Sequence, residues 1–103
     1  MKGRNTITLI FTYEENNNGI RDTKEVQETK KTLEQYIYAS RQNNAFLNKL
    51  RIDKRVRIRK PQNDTRYLNY AIYNNVKYKV VSITEDIKSH YYIVEMGEQL
   101  WIN

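Results

Sequence analysis

The chain has no cysteine, one proline, three glycines and one histidine among 103 residues. Without cysteine there is no disulfide, no thiolate nucleophile and no cysteine-ligated metal site, which fits a reducing compartment. A single histidine, His90, removes the two-histidine metal sites. It lies in the polar stretch "TEDIKSH", beside Tyr91 and near Asp86, and reads as a solvated turn residue rather than a general base. Neither a GxGxxG nor a Walker A pattern occurs. The paired acids Glu14-Glu15 and Glu85-Asp86 sit at strand ends, where loop solvation explains them more simply than a catalytic dyad. The expectation is a chain that is not an enzyme, with no catalytic residue, no cofactor and no metal. Also missing is any apolar run near the ~20 residues that cross a bilayer, so no membrane partner is expected. The N-terminal "MKGRNTITLIFTYEE" has basic residues before an apolar patch, but the patch is short and alternates with threonine, which argues against a secretory signal and for a cytoplasmic site of synthesis.

The residues present describe one domain, 1–103, of modest core. Hydrophobic residues make up 39% of the chain, and nine tyrosines, two phenylalanines and one tryptophan argue against wholesale disorder. Tyrosine packs its ring and sends its hydroxyl to a rim. Net charge is +6, and its location is informative. "KLRIDKRVRIRK", Lys49 to Lys60, holds seven of the 18 basic residues and one of the 12 acids, so the rest of the chain is balanced at 11 of each. Within it Val56 and Ile58 alternate with Arg55, Arg57 and Arg59, a strand with one apolar and one arginine face. Such a face either meets a polyanion or is simply solvated.

From Thr6 to Tyr13, Ile7, Leu9, Phe11 and Tyr13 share one face, and Thr6, Thr8 and Thr12 the other, a half-buried strand. "EENNNGI" reads as a polar loop in which Gly19 takes positive φ. Asp22 to Ser40 is ambiguous: Thr23–Thr32 is rich in helix formers, while "TLEQYIYA" alternates like a strand, and propensity alone favours a helix. "RQNNAFLNKL" is a short-helix candidate capped by Asn43 or Asn44. The basic strand ends at Pro61, and "PQNDTR" is a surface loop. "YAIYNNVKYKVVSI" reads as a hairpin turning at Asn74-Asn75, joining Leu68–Tyr73 to Val76–Ile83. Adjacent Val80 and Val81 break the alternation and predict a bulge. "YYIVEM" is a last strand ended by Gly97, and Trp101 in "EQLWIN" closes the core or docks on a neighbouring subunit. The predicted core includes Ile7, Leu9, Phe11, Ile72, Tyr78, Val80 and Ile93. The class is mainly β, a small barrel or sandwich of five or six strands with one short helix.

These pieces, in this order, resemble the phage head-tail joining family, also called head closure, stopper or head-tail connector proteins. "ITLIFTYEENNNGI" is similar to the family's opening strand and loop. "YIYASRQNNAF" is similar to its strand followed by Ser-Arg and a short aromatic-containing segment, and "DKRVRIRK" to its next, arginine-alternating strand. "YAIYNNVKYKVVSITEDIKSHYYIVEMGE" is similar to its Tyr-Asn-Asn-x-x-Tyr hairpin, loop and final strand ending in Glu. The resemblance implies a small β-barrel with a short helix or loop inserted after the second strand. It implies a structural virion protein of a tailed phage or prophage: monomeric when free, and in the virion a homo-oligomeric ring of twelve-fold or six-fold symmetry. The ring would sit below the portal and adaptor proteins, retain packaged DNA in its channel and dock the tail or tail-completion protein. The chain would then be made in the bacterial host cytoplasm and end at the head-tail interface. Carried over by position, the segment from about Ser40 to Asp53 faces the channel, with Arg41, Lys49 and Arg51 nearest the DNA. Arg55, Arg57 and Arg59 face the lumen or a neighbouring subunit.

Two other readings compete. A small barrel that binds single-stranded nucleic acid would stack bases on Tyr36 and Tyr38 and hold phosphates with the basic strand. A host-directed toxin or regulator is the third, and no specific feature points to it.

Overall fold

The computed structural model describes residues 5–35, 37 and 51–102. The protein is mainly β, as the alternating stretches predict. Its strands are β1 (Thr6–Asn17), β2 (Ile20–Lys31), β3 (Leu33–Glu34), β4 (Lys54–Ile58), β5 (Leu68–Tyr73), β6 (Val76–Asp86) and β7 (Tyr91–Ile102), with a 3-10 turn at Thr65–Tyr67 before β5. They form one 7-stranded antiparallel sheet in the order β2-β1-β5-β6-β7-β4-β3. The two edge strands, β2 and β3, are consecutive in the chain, with only Thr32 between them. One extended run therefore begins as the partner of β1 and ends as the partner of β4, which requires the sheet to curl. At the switch, the Thr32 amide and hydroxyl both donate to the Asn5 carbonyl, at 2.9 and 2.8 Å, and three residues on, the Gln35 amide donates to the Arg55 carbonyl at 2.8 Å. The sheet is open and curled rather than ladder-closed as a barrel.

β2 corrects the helical reading of Thr23–Thr32. Its lysines, glutamates and glutamine favour a helix by only a few tenths of a kcal/mol each. Against that stands a ladder in which all 12 residues of β1 pair with all 12 of β2, from Thr6↔Lys31 to Asn17↔Ile20. Pairing with a partner overrides weak intrinsic preference. The same ladder corrects the loop at "EENNNGI": the strand continues to Asn17, and the turn is only Asn18-Gly19, at φ 52 and 84, the left-handed pair of a type I′ hairpin. The hairpin at Asn74-Asn75 turns as expected, with φ 53 and 62, and β5 spans the predicted Leu68–Tyr73. The expected bulge also occurs: the β6–β7 register slips between Val80 and Ser82. The short-helix candidate at 41–50 lies outside the described residues, as does most of the inserted helix or loop expected after the second strand.

The core is one cluster drawn from five strands. Ile7, Leu9 and Phe11 of β1 meet Val56 and Ile58 of β4, Ala71 and Tyr73 of β5, Tyr78 of β6, and Val94 and Met96 of β7, with Val26 of β2 packed at its margin. Of the predicted core, Ile7, Leu9, Phe11 and Tyr78 are buried and Val80 packs half-buried against them. Ile72 and Ile93 are only half-buried. They occupy the opposite phase of the pleat from Ala71 and Tyr73 and from Val94, which point inward. Ile10 is the converse: it shares the threonine face of β1, yet is 2% exposed.

Gly97 does not end the last strand, which continues to Ile102. Its role is a close approach. A Cβ at this position would overlap the carbonyl oxygen of Arg51, because the segment entering β4 crosses directly over it. The crossing is fixed by the Asp53 amide, which donates to the Met96 carbonyl at 2.8 Å. The next residue, Glu98, is bulged out at φ 54, since Lys79 pairs Gly97 while Tyr78 pairs Gln99. Gly97→Ala is expected to push the crossing segment away and cost ~1–3 kcal/mol, read as a drop in thermal midpoint. An unchanged midpoint would show that the crossing is dispensable.

Candidate functional site

β4 carries the basic stretch, and its alternation is realised: Val56 and Ile58 are 0% and 1% exposed, and the arginines point away from the core. The arginine face is not uniform. Arg55 is tied into the fold, its Nη1 donating to Glu95 Oε2 and its Nε to Gln35 Oε1, both at 3.4 Å. Glu95 is a carboxylate only 5% exposed, and its other oxygen accepts from the Ser82 hydroxyl at 2.7 Å. A buried carboxylate needs such partners to offset its lost hydration. Lys54 pairs with Glu34 at 3.2 Å, and that hydrogen bond holds its ammonium above the ordinary lysine range. Arg57 has no carboxylate partner among the described residues; its guanidinium lies 4.7 Å from the centroid of the Tyr91 ring. Arg59 is exposed, with no partner among the described residues.

Of the residues placed nearest the channel by resemblance, Arg41 and Lys49 lie outside the described residues. So do Tyr36 and Tyr38. Arg51 is exposed and donates through Nε to Asp53 Oδ1 at 2.8 Å. Asp53 Oδ2 is buried without a hydrogen bond. His90 is exposed in the β6–β7 turn at φ 61. Its amide donates to the Asp86 carbonyl at 2.8 Å, and the Asp86 carboxylate accepts from Lys88 N and Ser89 Oγ. Asp86 is thus a turn cap. Among the described residues no group of three or more histidine and acidic side chains could hold a metal ion, and no helix is long and apolar enough to cross a membrane.

The candidate site sits at the seam between the end of β2 and the residues that follow β4. There the backbone ladder is replaced by side chains. Lys30 Nζ donates to the Lys60 carbonyl at 3.1 Å. Glu28 accepts from the Gln62 amide at 2.9 Å, and from the Asn63 amide and side-chain amide at 3.2 and 2.9 Å. It also pairs with Lys30 at 3.1 Å. Beside this stitching opens a groove of about 560 Å³ lined by Thr29, Lys30, Lys31, Leu33, Arg57, Arg59 and Tyr91. The lining has four cations and no acid. Sequence reasoning identified Arg57 and Arg59 but not Lys30, Lys31 or Tyr91, which join them only through the curl. It also missed Glu95, and it placed Glu28, with Glu34, only as an acid that the β4 arginines of a neighbouring subunit would meet, not as the acceptor of the Gln62 and Asn63 amides. An acid inside the apolar "YYIVEM" was a usable signal for Glu95; nothing local marks Glu28.

Searches against known protein families and curated proteins find no match to the chain.

Proposed function

We propose that this chain is a head closure, or head-tail joining, subunit of a tailed phage or prophage, working as a ring below the portal–adaptor complex. The observation that carries the reading is the fold. A small, curled, mainly antiparallel sheet with the Tyr-Asn-Asn hairpin and the arginine-alternating strand in sequence is what such a subunit requires. Its work is mechanical: to form wall, to contact neighbours and to line a channel. The core of aromatic and β-branched side chains serves that work by keeping the module stiff. Packaged DNA lies inside the ring, the portal and adaptor above it and the tail below it. Arg41, Lys49 and Arg51 belong to the segment that approaches the DNA.

The test is a deletion in the phage or induced prophage that encodes the chain. Heads should package DNA and then lose it, with unattached tails accumulating, and tagged protein supplied in trans should appear as a ring at the head-tail junction by electron microscopy. Infectious particles without the chain would overturn the proposal.

One observation favours a second reading, single-stranded nucleic-acid binding: Lys31, Arg57 and Arg59 line one groove with no acid. A monomer that binds oligonucleotide at micromolar concentration with a steep salt dependence would support it.

The division of the arginine face sharpens any mutational test. Replacing Arg55, Arg57 and Arg59 together would also break the Arg55–Glu95 pair and confound fold with function. Arg57→Gln with Arg59→Gln is expected to leave stability within ~0.5 kcal/mol, whereas Arg55→Gln, by removing a charge-assisted hydrogen bond from the buried Glu95, is expected to cost ~1–3 kcal/mol in chemical denaturation.

A further inference from the structure

Two surfaces of the chain are incomplete, and they complement one another. The first is the seam groove. Lys30 is engaged by Glu28 and the Lys60 carbonyl, but Lys31, Arg57 and Arg59 have no carboxylate partner among the described residues. Stacking on Tyr91 holds the Arg57 guanidinium in place and leaves its edge free for a bidentate acceptor. Leu33, 56% exposed, supplies an apolar wall.

The second surface is the far end of the β1–β2 hairpin. Support from the rest of the sheet stops near Tyr13, whose ring packs 4.7 Å from that of Tyr67 and whose hydroxyl donates to Asn63 Oδ1. Beyond it the two strands project as a ribbon, and every described side chain from Glu14 to Glu25 is exposed. A two-stranded ribbon without a third strand or a packed face is marginal in water. This one carries an added penalty, because Glu15 stands directly opposite Asp22 and like charges in a cross-strand pair repel. Ile20, paired with Asn17 two positions along, lies on the same face and is 65% exposed. One face of the ribbon tip therefore presents two acids and an isoleucine, while the groove presents cations and a leucine.

We propose that the ribbon tip of one subunit docks in the seam groove of the next. Ile20 packs on Leu33, and Glu15 and Asp22 meet Arg57, Arg59 and Lys31. The tip cannot reach its own groove: the extended run from Ile20 to Leu33 spans roughly 40 Å at ~3.3 Å per residue. The contact joins two different surfaces, so it is head-to-tail, and repeated with a closing rotation it generates a ring. This deepens the proposed function and rests on it for the ring; the docking itself rests on the groove and the ribbon. A second copy is favoured over a nucleic-acid strand because it also relieves the Glu15–Asp22 repulsion and covers Ile20, which a phosphate backbone would not.

The absence of cysteine makes the test direct. Ile20→Cys and Leu33→Cys are made in separate chains carrying different mass tags, mixed and oxidised. Both sites are exposed, and unchanged thermal midpoints confirm that the variants fold. The mixed 20–33 disulfide should exceed either homodimer by on the order of tenfold, and the double-cysteine chain should give a ladder of oligomers. Arg57→Glu with Arg59→Glu in the Leu33→Cys chain should reduce the cross-link by on the order of tenfold, since like-charge contacts oppose association. Glu15→Lys with Asp22→Lys in the Ile20→Cys chain should restore it. A statistical mixture of disulfides, or a cross-link indifferent to the reversals, overturns the proposal. So does an oligonucleotide that binds the unmodified chain and is lost in the Arg57→Glu, Arg59→Glu chain while no ladder forms; the groove then belongs to nucleic acid. None of these results bears on whether deletion empties heads, so the docking and the head-tail reading fail separately.

Discussion

Leu9→Ala is expected to destabilise the protein by ~2–5 kcal/mol, seen as a lower urea midpoint with little change in slope. Leu9 is fully buried in the central cluster, on a strand paired on both sides, with Glu28 of β2 and Ala71 of β5 as its partners. Ala71 is already small, so no large neighbour stands across the ladder to fill the space, and a cavity remains. Ile72, one residue from Ala71, provides the internal control. It lies on the outer phase of the pleat and is half-buried, so Ile72→Ala should cost under ~1.5 kcal/mol. A Leu9→Ala midpoint no lower than that of Ile72→Ala would mean that the cluster does not hold the sheet together.

That pair also marks what the sequence could disclose. In β1, apolar residues occupy one phase and threonines the other, so the inward face is legible at once, apart from Ile10. In "YAIY", Tyr70 to Tyr73, both phases are apolar or aromatic, and nothing local says that Ala71 and Tyr73 point inward and Tyr70 and Ile72 outward. The turns at Gly19 and Asn74-Asn75 are legible because few residues accept positive φ. β2 is illegible for the opposite reason. As an edge strand with both faces largely wet it needs no apolar alternation, so its lysines and glutamates look helical until β1 is placed beside it.

The site was legible in part. Arg57 and Arg59 announce themselves by concentration of charge. That Arg55 is spent on Glu95 instead follows from pairing β4 with β7, 40 residues away. The groove depends on one extended run changing partners at Thr32, a property of the whole sheet rather than of any window. Glu28 belongs to the same class: its four donors come from Lys30 on its own strand and from a loop more than 30 residues away.

Glu28→Ala is accordingly expected to cost ~2–4 kcal/mol at neutral pH. The loss combines a charge-assisted set of hydrogen bonds with donors at Gln62 and Asn63 left short of partners. The effect should depend on pH, and its sign follows from the carboxylate. Burial by itself raises the Glu28 pKa, but the Gln62 amide, the Asn63 side chain, Lys30 and the Asn63 amide together outweigh burial and leave it below the ordinary value. A folded-state pKa below the unfolded one stabilises the fold fully above the unfolded value, about 4.3, and that stabilisation is lost as pH falls through the folded value. The gap in denaturation free energy between the native chain and Glu28→Gln should therefore be widest near neutrality and narrow below about pH 4. A gap of constant size down to pH 3 would show that Glu28 acts through its shape and not its charge. The site should register the change as well. Without Glu28 the Lys30 ammonium loses its carboxylate, and the loop after β4 loses its anchor to β2. The seam beside the groove is then held, among the described residues, only by the Lys30–Lys60 hydrogen bond and loosens where the fold has side chains in place of a ladder. Amide exchange at Gln62 and Asn63 should accelerate in Glu28→Gln while exchange in β5 and β7 stays slow, because those amides are held by strands on both sides.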